Sequence, residues 1–108
     1  MNDRLQLHYE LVELIGDGKA YYQPSENIKL SYPCIVYTLD NATNYHADNL
    51  SYRRINNYSI TLITKNPEDP IIDRIQDELD YVSFERHFVS DNLHHYLFNI
   101  KRNHFDND

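Results

Sequence analysis

The sequence predicts an α+β fold: a single small domain with a largely antiparallel sheet, two helices covering one face of it, and the order α-β-β-β-α-β-β. Three observations lead there. From Leu50 to Thr64, Leu50, Tyr52, Tyr58, Ile60 and Leu62 share one parity, and Ser51, Arg53, Asn57, Ser59 and Thr61 share the other, as a half-buried strand requires. After the turn Lys65-Asn66-Pro67-Glu68-Asp69, the residues Ile71, Ile72, Ile75 and Leu79 recur as one helical stripe, with Asp69 placed to cap and Pro70 at the tolerated first position. Two more apolar runs, Tyr81 to Val89 and Leu93 to Lys101, flank the short turn Ser90-Asp91-Asn92 and form a sequential hairpin.

The first segment, Asp3 to Ile15, places Leu7, Leu11, Leu14 and Ile15 on one stripe, with Leu5 and Val12 at its margins. Gly16 ends this amphipathic helix and Asp17-Gly18 prolong the break; these are the only two glycines in the chain. Ala20-Tyr21-Tyr22 makes a short strand or extended piece, cut off at Pro24, and Pro24 to Asn27 has the composition of a turn. Tyr32 to Leu39 is β-branched and aromatic, so it reads as a strand with Pro33 at its start or on an edge. Both its faces are partly apolar, which predicts cover on two sides. Asp40 to Asp48 is polar and reads as a connecting loop longer than a tight turn; it is the leading contact candidate, a disordered tip being the alternative.

The helix is expected over Pro70 to Asp80. In the strand that follows, Val82, Phe84 and Phe88 share a parity that also holds Arg86, implying an edge position, a buried pair with a carboxylate, or a subunit contact. Tyr96, Phe98 and Ile100 align in the last strand. Residues 102–108 are expected to fray, so the domain spans 1–108 with a loose end.

A net charge of -7 disfavours a specific nucleic-acid binder, which needs cations to displace counterions from phosphates. The single cysteine, Cys34, excludes an internal disulfide and a multi-cysteine zinc site, and suits a small buried strand residue in a reducing cytoplasm. No apolar run approaches the ~20 residues of a membrane span, and the polar N-terminus lacks a signal-peptide pattern; no membrane partner is expected. Ten tyrosines suit strand and boundary positions, where the ring packs and the hydroxyl finds water or a partner.

Chemistry is sparsely marked. His94-His95 point to opposite faces of a strand, while His46 with Asp48, and His87 with Glu85, share a parity and could each offer two ligands to an ion. Glu68, Asp69, Asp77, Glu78 and Asp80 fall on turns and polar helix faces, where solvated surface explains them better than a glycosidase pair. Ser90, Asp91 and His94 compose a triad on paper, without a strained elbow to present the serine. Neither a catalytic residue nor a cofactor or metal is expected.

Taken in order, several motifs resemble the tail terminator proteins of long-tailed bacteriophages, also called tail completion, head-tail joining or minor capsid proteins. They are Tyr32-Pro33-Cys34-Ile35-Val36-Tyr37, the loop ending Ala47-Asp48-Asn49, Tyr58 to Thr64 leading into Asn66-Pro67 and a capped helix, and Phe84 to His95. The resemblance covers roughly residues 1–101. It implies a small domain with helices packed on a sheet, and a structural protein without enzymatic activity. Such proteins form a ring, typically a hexamer, that caps the tail tube, stops its polymerisation and offers the surface where the head connector docks. The expected partners are thus further copies of the chain, the tail tube protein and the head-tail connector, with DNA passing through the ring unbound. The expected location is the head-proximal end of the virion tail, and the host cytoplasm during assembly.

Polarity and placement nominate Tyr45, His46, Asp48 and Asn49 for ring and tube contacts, with Arg53, Arg54 and Arg86 for inter-subunit pairs with carboxylates. If the negative charge lines the channel, the ring would repel the phosphates that pass through it. Two other classes stay open: an acidic adaptor or inhibitor module, and a small metal-dependent nuclease or hydrolase built on His46 and Asp48.

Overall fold

The computed structural model describes residues 3–16, 19–25, 27–47 and 50–104. The elements are α1 (Asp3–Ile15), β1 (Ala20–Tyr22), β2 (Cys34–Ala47), β3 (Leu50–Thr64), α2 (Pro70–Glu78), β4 (Val82–Ser90) and β5 (Leu93–His104). The five strands form one sheet in the order β1-β2-β3-β5-β4, antiparallel except for the β1–β2 pair. The α+β class, the element order and the two hairpins are as the sequence predicts.

Both helices pack on one face. Leu7, Leu11 and Leu14 from α1, and Ile75 and Leu79 from α2 and its C-cap, meet Ile35, Tyr37, Tyr58, Ile60, Leu62, Phe98 and Ile100, which share that face through the strand register. The α1 stripe thus does what its spacing foretold, and Gly16 closes the helix at φ 71°, donating 2.9 Å to the Val12 carbonyl. Residues 17 and 18, expected to prolong that break, lie outside the described residues. In α2, Asp69 caps as expected: Oδ1 accepts from the Ile71 amide at 3.0 Å. Its Oδ2 accepts from the Thr64 hydroxyl at 2.8 Å, so one buried carboxylate joins the end of β3 to the start of α2. The helix stops at Glu78, shorter than expected, with Leu79 extended as its C-cap.

Four expectations are corrected. Two-sided cover of β2 holds only at its start: Cys34 is fully buried on the face opposite the helices, beside Ile63, whereas Val36 and Thr38 are half-buried. The polar loop from Asp40 to Asp48 is mostly strand, since β2 continues to Ala47 and pairs with β3 all the way to Leu50. The end expected to fray from Arg102 runs on as β5 through His104, paired with Arg54; residues 105–108 lie outside the described residues. In β4, Phe84 opposes Phe98 but Arg86 opposes Leu97, so Glu85 is an extra residue and the alternation does not run through it. Arg86 therefore turns to the face away from the helices with Phe88, while His87 turns towards Tyr96.

Candidate subunit interface

The distal halves of β2 and β3 form an arm that β5 flanks as far as Arg54 and that is two-stranded beyond it. The β1 ladder covers β2 only from Ile35 to Tyr37, and the β4 ladder ends at Val82 opposite Ile100, so the sheet narrows to β2, β3 and β5 and then to the hairpin alone. Eight residues of strand beyond Leu39 add about 25 Å at the usual rise, and the described chain is 52 Å long against 27 and 23 Å across. Residues 41–46 are all exposed. The arm is irregular: the register shifts between Leu39 and Asn41 and again between Tyr45 and His46, as strands exposed at an edge often do.

A polar layer under α1 fixes the base of the arm. Asp3 Oδ2 accepts from Asn56 Nδ2 at 2.8 Å and from the Tyr58 hydroxyl at 2.9 Å. Burial and the adjacent Asp3 carboxylate both push the Tyr58 phenol well above its ordinary range. Further along, Arg102 reaches Glu10 with both terminal guanidinium nitrogens. These contacts hold the inner face where the apolar core ends.

The opposite face of the base is flat and bears three short rows: Asn41, Asn57 and Lys101; Thr43, Ile55 and Asn103; Tyr45 and Arg53. The Arg53 guanidinium stacks 4.7 Å above the Tyr45 ring. Two shallow depressions of about 280 and 210 Å³ share Ile55 and Lys101, and Tyr81 stands at the rim of the second, 81% exposed. Among the described residues, every buried side-chain nitrogen or oxygen without a hydrogen-bond partner lies at this arm base: Arg53 Nε, Arg54 Nε, Asn56 Oδ1, Asn57 Oδ1 and Arg102 Nε. Such atoms are uncommon in folded chains and concentrate where a partner or water completes the structure.

Of the residues nominated from sequence, Tyr45 and Arg53 come together on one face. His46 is exposed near the tip, with its backbone opposite Ser51, and Arg54 turns to the helix side of the arm. Asp48 and Asn49 lie outside the described residues. Arg86 is remote: it sits on edge strand β4 and stacks 5.4 Å over Phe88. Lys101 and Asn103 were not nominated, and the signal that finds them is the register of β5 against β3 beyond Ile100; Asn57 shares the polar parity of Arg53 in β3, the side that the sequence leaves free for neighbours.

The remaining chemistry is held by structural contacts. His94 and His95 face opposite ways, as adjacent strand residues must. His87 stands 2.9 Å from His94, nitrogen to nitrogen, and stacks at 4.5 Å on Tyr96, so neither the pairing with Glu85 that a shared parity would allow nor a Ser90-Asp91-His94 triad is assembled. Among the described residues, no three of His, Cys, Asp and Glu gather around a common point. Arg74 pairs with Glu78 at 2.7 Å and lowers that carboxyl below its usual range, while its Nη1 donates to the Leu14 carbonyl. Burial raises the Cys34 thiol to about 11. No helix among the described residues is long and apolar enough to cross a membrane. No protein-family model matches the chain, and no curated protein matches it.

Proposed function

We propose that this chain is a structural assembly subunit of the tail-terminator kind: copies close into a ring, typically of six, that caps a tail tube, halts its polymerisation and presents a docking surface to the head connector. It acts by shape and self-association, in the host cytoplasm and then at the head-proximal end of the virion tail. The observation that carries this reading is the arm, a hairpin that projects from a helix-backed sheet and whose β2 side is exposed from Asn41 to His46. Holding so many exposed residues in extended pairing costs conformational entropy that no core of their own repays. A structure that reaches out in this way suits contact with a neighbour. On either side of the arm's root, edge strand β4 and the distal part of β2 offer further backbone for association.

A ring subunit must present two different surfaces to its neighbours, so its contacts are heterologous and close by rotation. DNA threads such a ring without specific binding, and the acidic balance of the chain suits that passage where the carboxylates face inward.

The test is electron microscopy of purified tail tubes incubated with the protein, alongside sedimentation velocity across concentrations. Rings at tube ends and arrested tube length are expected. A folded protein that neither caps nor binds tubes sinks the proposal.

A further inference from the structure

The outer face of the arm base is cationic in an acidic protein. The sequence holds 17 acidic and 10 basic side chains, yet neither depression has a carboxylate in its lining, which includes Arg53, Lys101 and Arg102. Arg102 is already paired with Glu10, but Arg53 and Lys101 form no ion pair with any described residue. Arg53 Nε and Asn57 Oδ1 add a donor and an acceptor that are buried and unsatisfied.

The same chain carries the complement. On α2, Asp73 and Asp77 are exposed, four residues apart so that they share a face, and form no ion pair with any described residue. Arg74, the helix's one cation, is spent on Glu78 and the Leu14 carbonyl. The two patches lie on opposite sides of the sheet, so one copy cannot bring them together within itself.

We infer that the cationic outer face of the arm, centred on Arg53 and Lys101, docks on the acidic outward face of α2, centred on Asp73 and Asp77, of a second copy of this chain. The contact is head to tail, and it rests for its biological use on the assembly reading above. A polyanion is the weaker occupant, because the net charge of -7 repels it at long range.

The experiment uses two charge-reversed full-length variants, R53E/K101E and D73K/D77K, each checked for native circular dichroism, and needs no tail components. In low salt each variant alone self-associates at least about tenfold more weakly than the parent by sedimentation velocity, because like charges now oppose. An equimolar mixture recovers the parent's size, since the acidic arm of one variant meets the basic helix of the other, and the parent-type patches meet in the alternate contact. Added salt weakens the parent and the mixture alike. The inference is overturned if the parent stays monomeric at its highest soluble concentration in low salt, or if reversing α2 changes nothing. It is also overturned if mixing fails to restore association, or if a labelled oligonucleotide binds the parent and the arm variant loses it. Charge-dependent pairing without tube capping leaves this contact standing and removes the terminator reading; capping without such pairing does the reverse.

Discussion

Arg102 Nη1 lies 2.6 Å from Glu10 Oε2, and Nη2 lies 3.3 Å from Oε1, so a guanidinium near the end of β5 grips a carboxylate in the middle of α1. The fork is largely shielded, with side-chain exposures of 16% and 35%. It ties down the strand that borders the arm where the apolar core has run out.

Removing one partner should therefore cost more than a surface pair would. Glu10→Gln keeps the shape but leaves the guanidinium without a counter-charge, and the expected loss is about 1–3 kcal/mol of unfolding free energy. Urea denaturation followed by circular dichroism checks this. An unchanged midpoint would mean that the pair forms without stabilising the arm base.

The Thr64–Asp69 hydrogen bond makes a second prediction. Asp69→Ala removes the cap on Ile71 and the acceptor of the buried Thr64 hydroxyl, whose oxygen still accepts from the Asn66 amide. A loss of about 1–3 kcal/mol is expected, against about half that for Asp69→Asn, which can still accept at one oxygen. The comparison of the two urea midpoints separates capping from mere bulk.

Alkaline pH should destabilise the fold. Cys34 is raised from 9.0 to about 11 by burial, and Tyr37 and Tyr58 are raised above 10.0 by the same cause first. Each folded acid holds its proton longer than the unfolded one, so the unfolded state binds fewer protons and stability falls as pH rises. The Cys34 contribution is complete below pH 9 and is lost across the window from 9 to 11, at about 1.4 kcal/mol per pH unit for each proton. Urea midpoints measured through that window should slope downward, and Cys34→Ala should flatten the slope. A parent protein whose midpoint stays level to pH 11 contradicts the shift. Folded protein should also resist a thiol reagent at pH 8 and react once unfolded.

These particular residues also show which parts of the fold were legible in the sequence. Where one face is buried, pattern and structure agree: Tyr58, Ile60 and Leu62 alternate because the helices press on one side of β3, and Asp69-Pro70 marks a helix start by local chemistry alone. Asn41 to His46 carry no such pattern because all six are exposed, so a strand there has the composition of a loop. Only the register with β3 makes it a strand, and register is a long-range property. Glu85 misled in another way: one inserted residue reverses every later side chain, and placed Arg86 and His87 on the wrong faces. The interface candidates were half legible for the same reasons. Arg53 stood out as a cation on a polar parity, whereas Lys101 gained its position only from a partner strand more than forty residues away.

The last prediction separates a contact surface from decoration. Tyr45 and His46 are exposed, and the stacking of the half-buried Arg53 on Tyr45 at 4.7 Å contributes about 0.5–1 kcal/mol. The double substitution Tyr45→Ala with His46→Ala should thus leave the unfolding midpoint close to the parent's, since surface changes away from caps and cores rarely exceed about 0.5 kcal/mol beyond such a pair. In the assembly reading the same variant loses tube capping, because an exposed tyrosine on a projecting hairpin supplies large, rigid contact area at small entropic cost. The check is paired: thermal unfolding for the fold, and the distribution of tube lengths by electron microscopy for the function. A variant that folds like its parent and caps tubes equally well removes the arm tip from the interface and moves the contact to the arm base or the β4 edge.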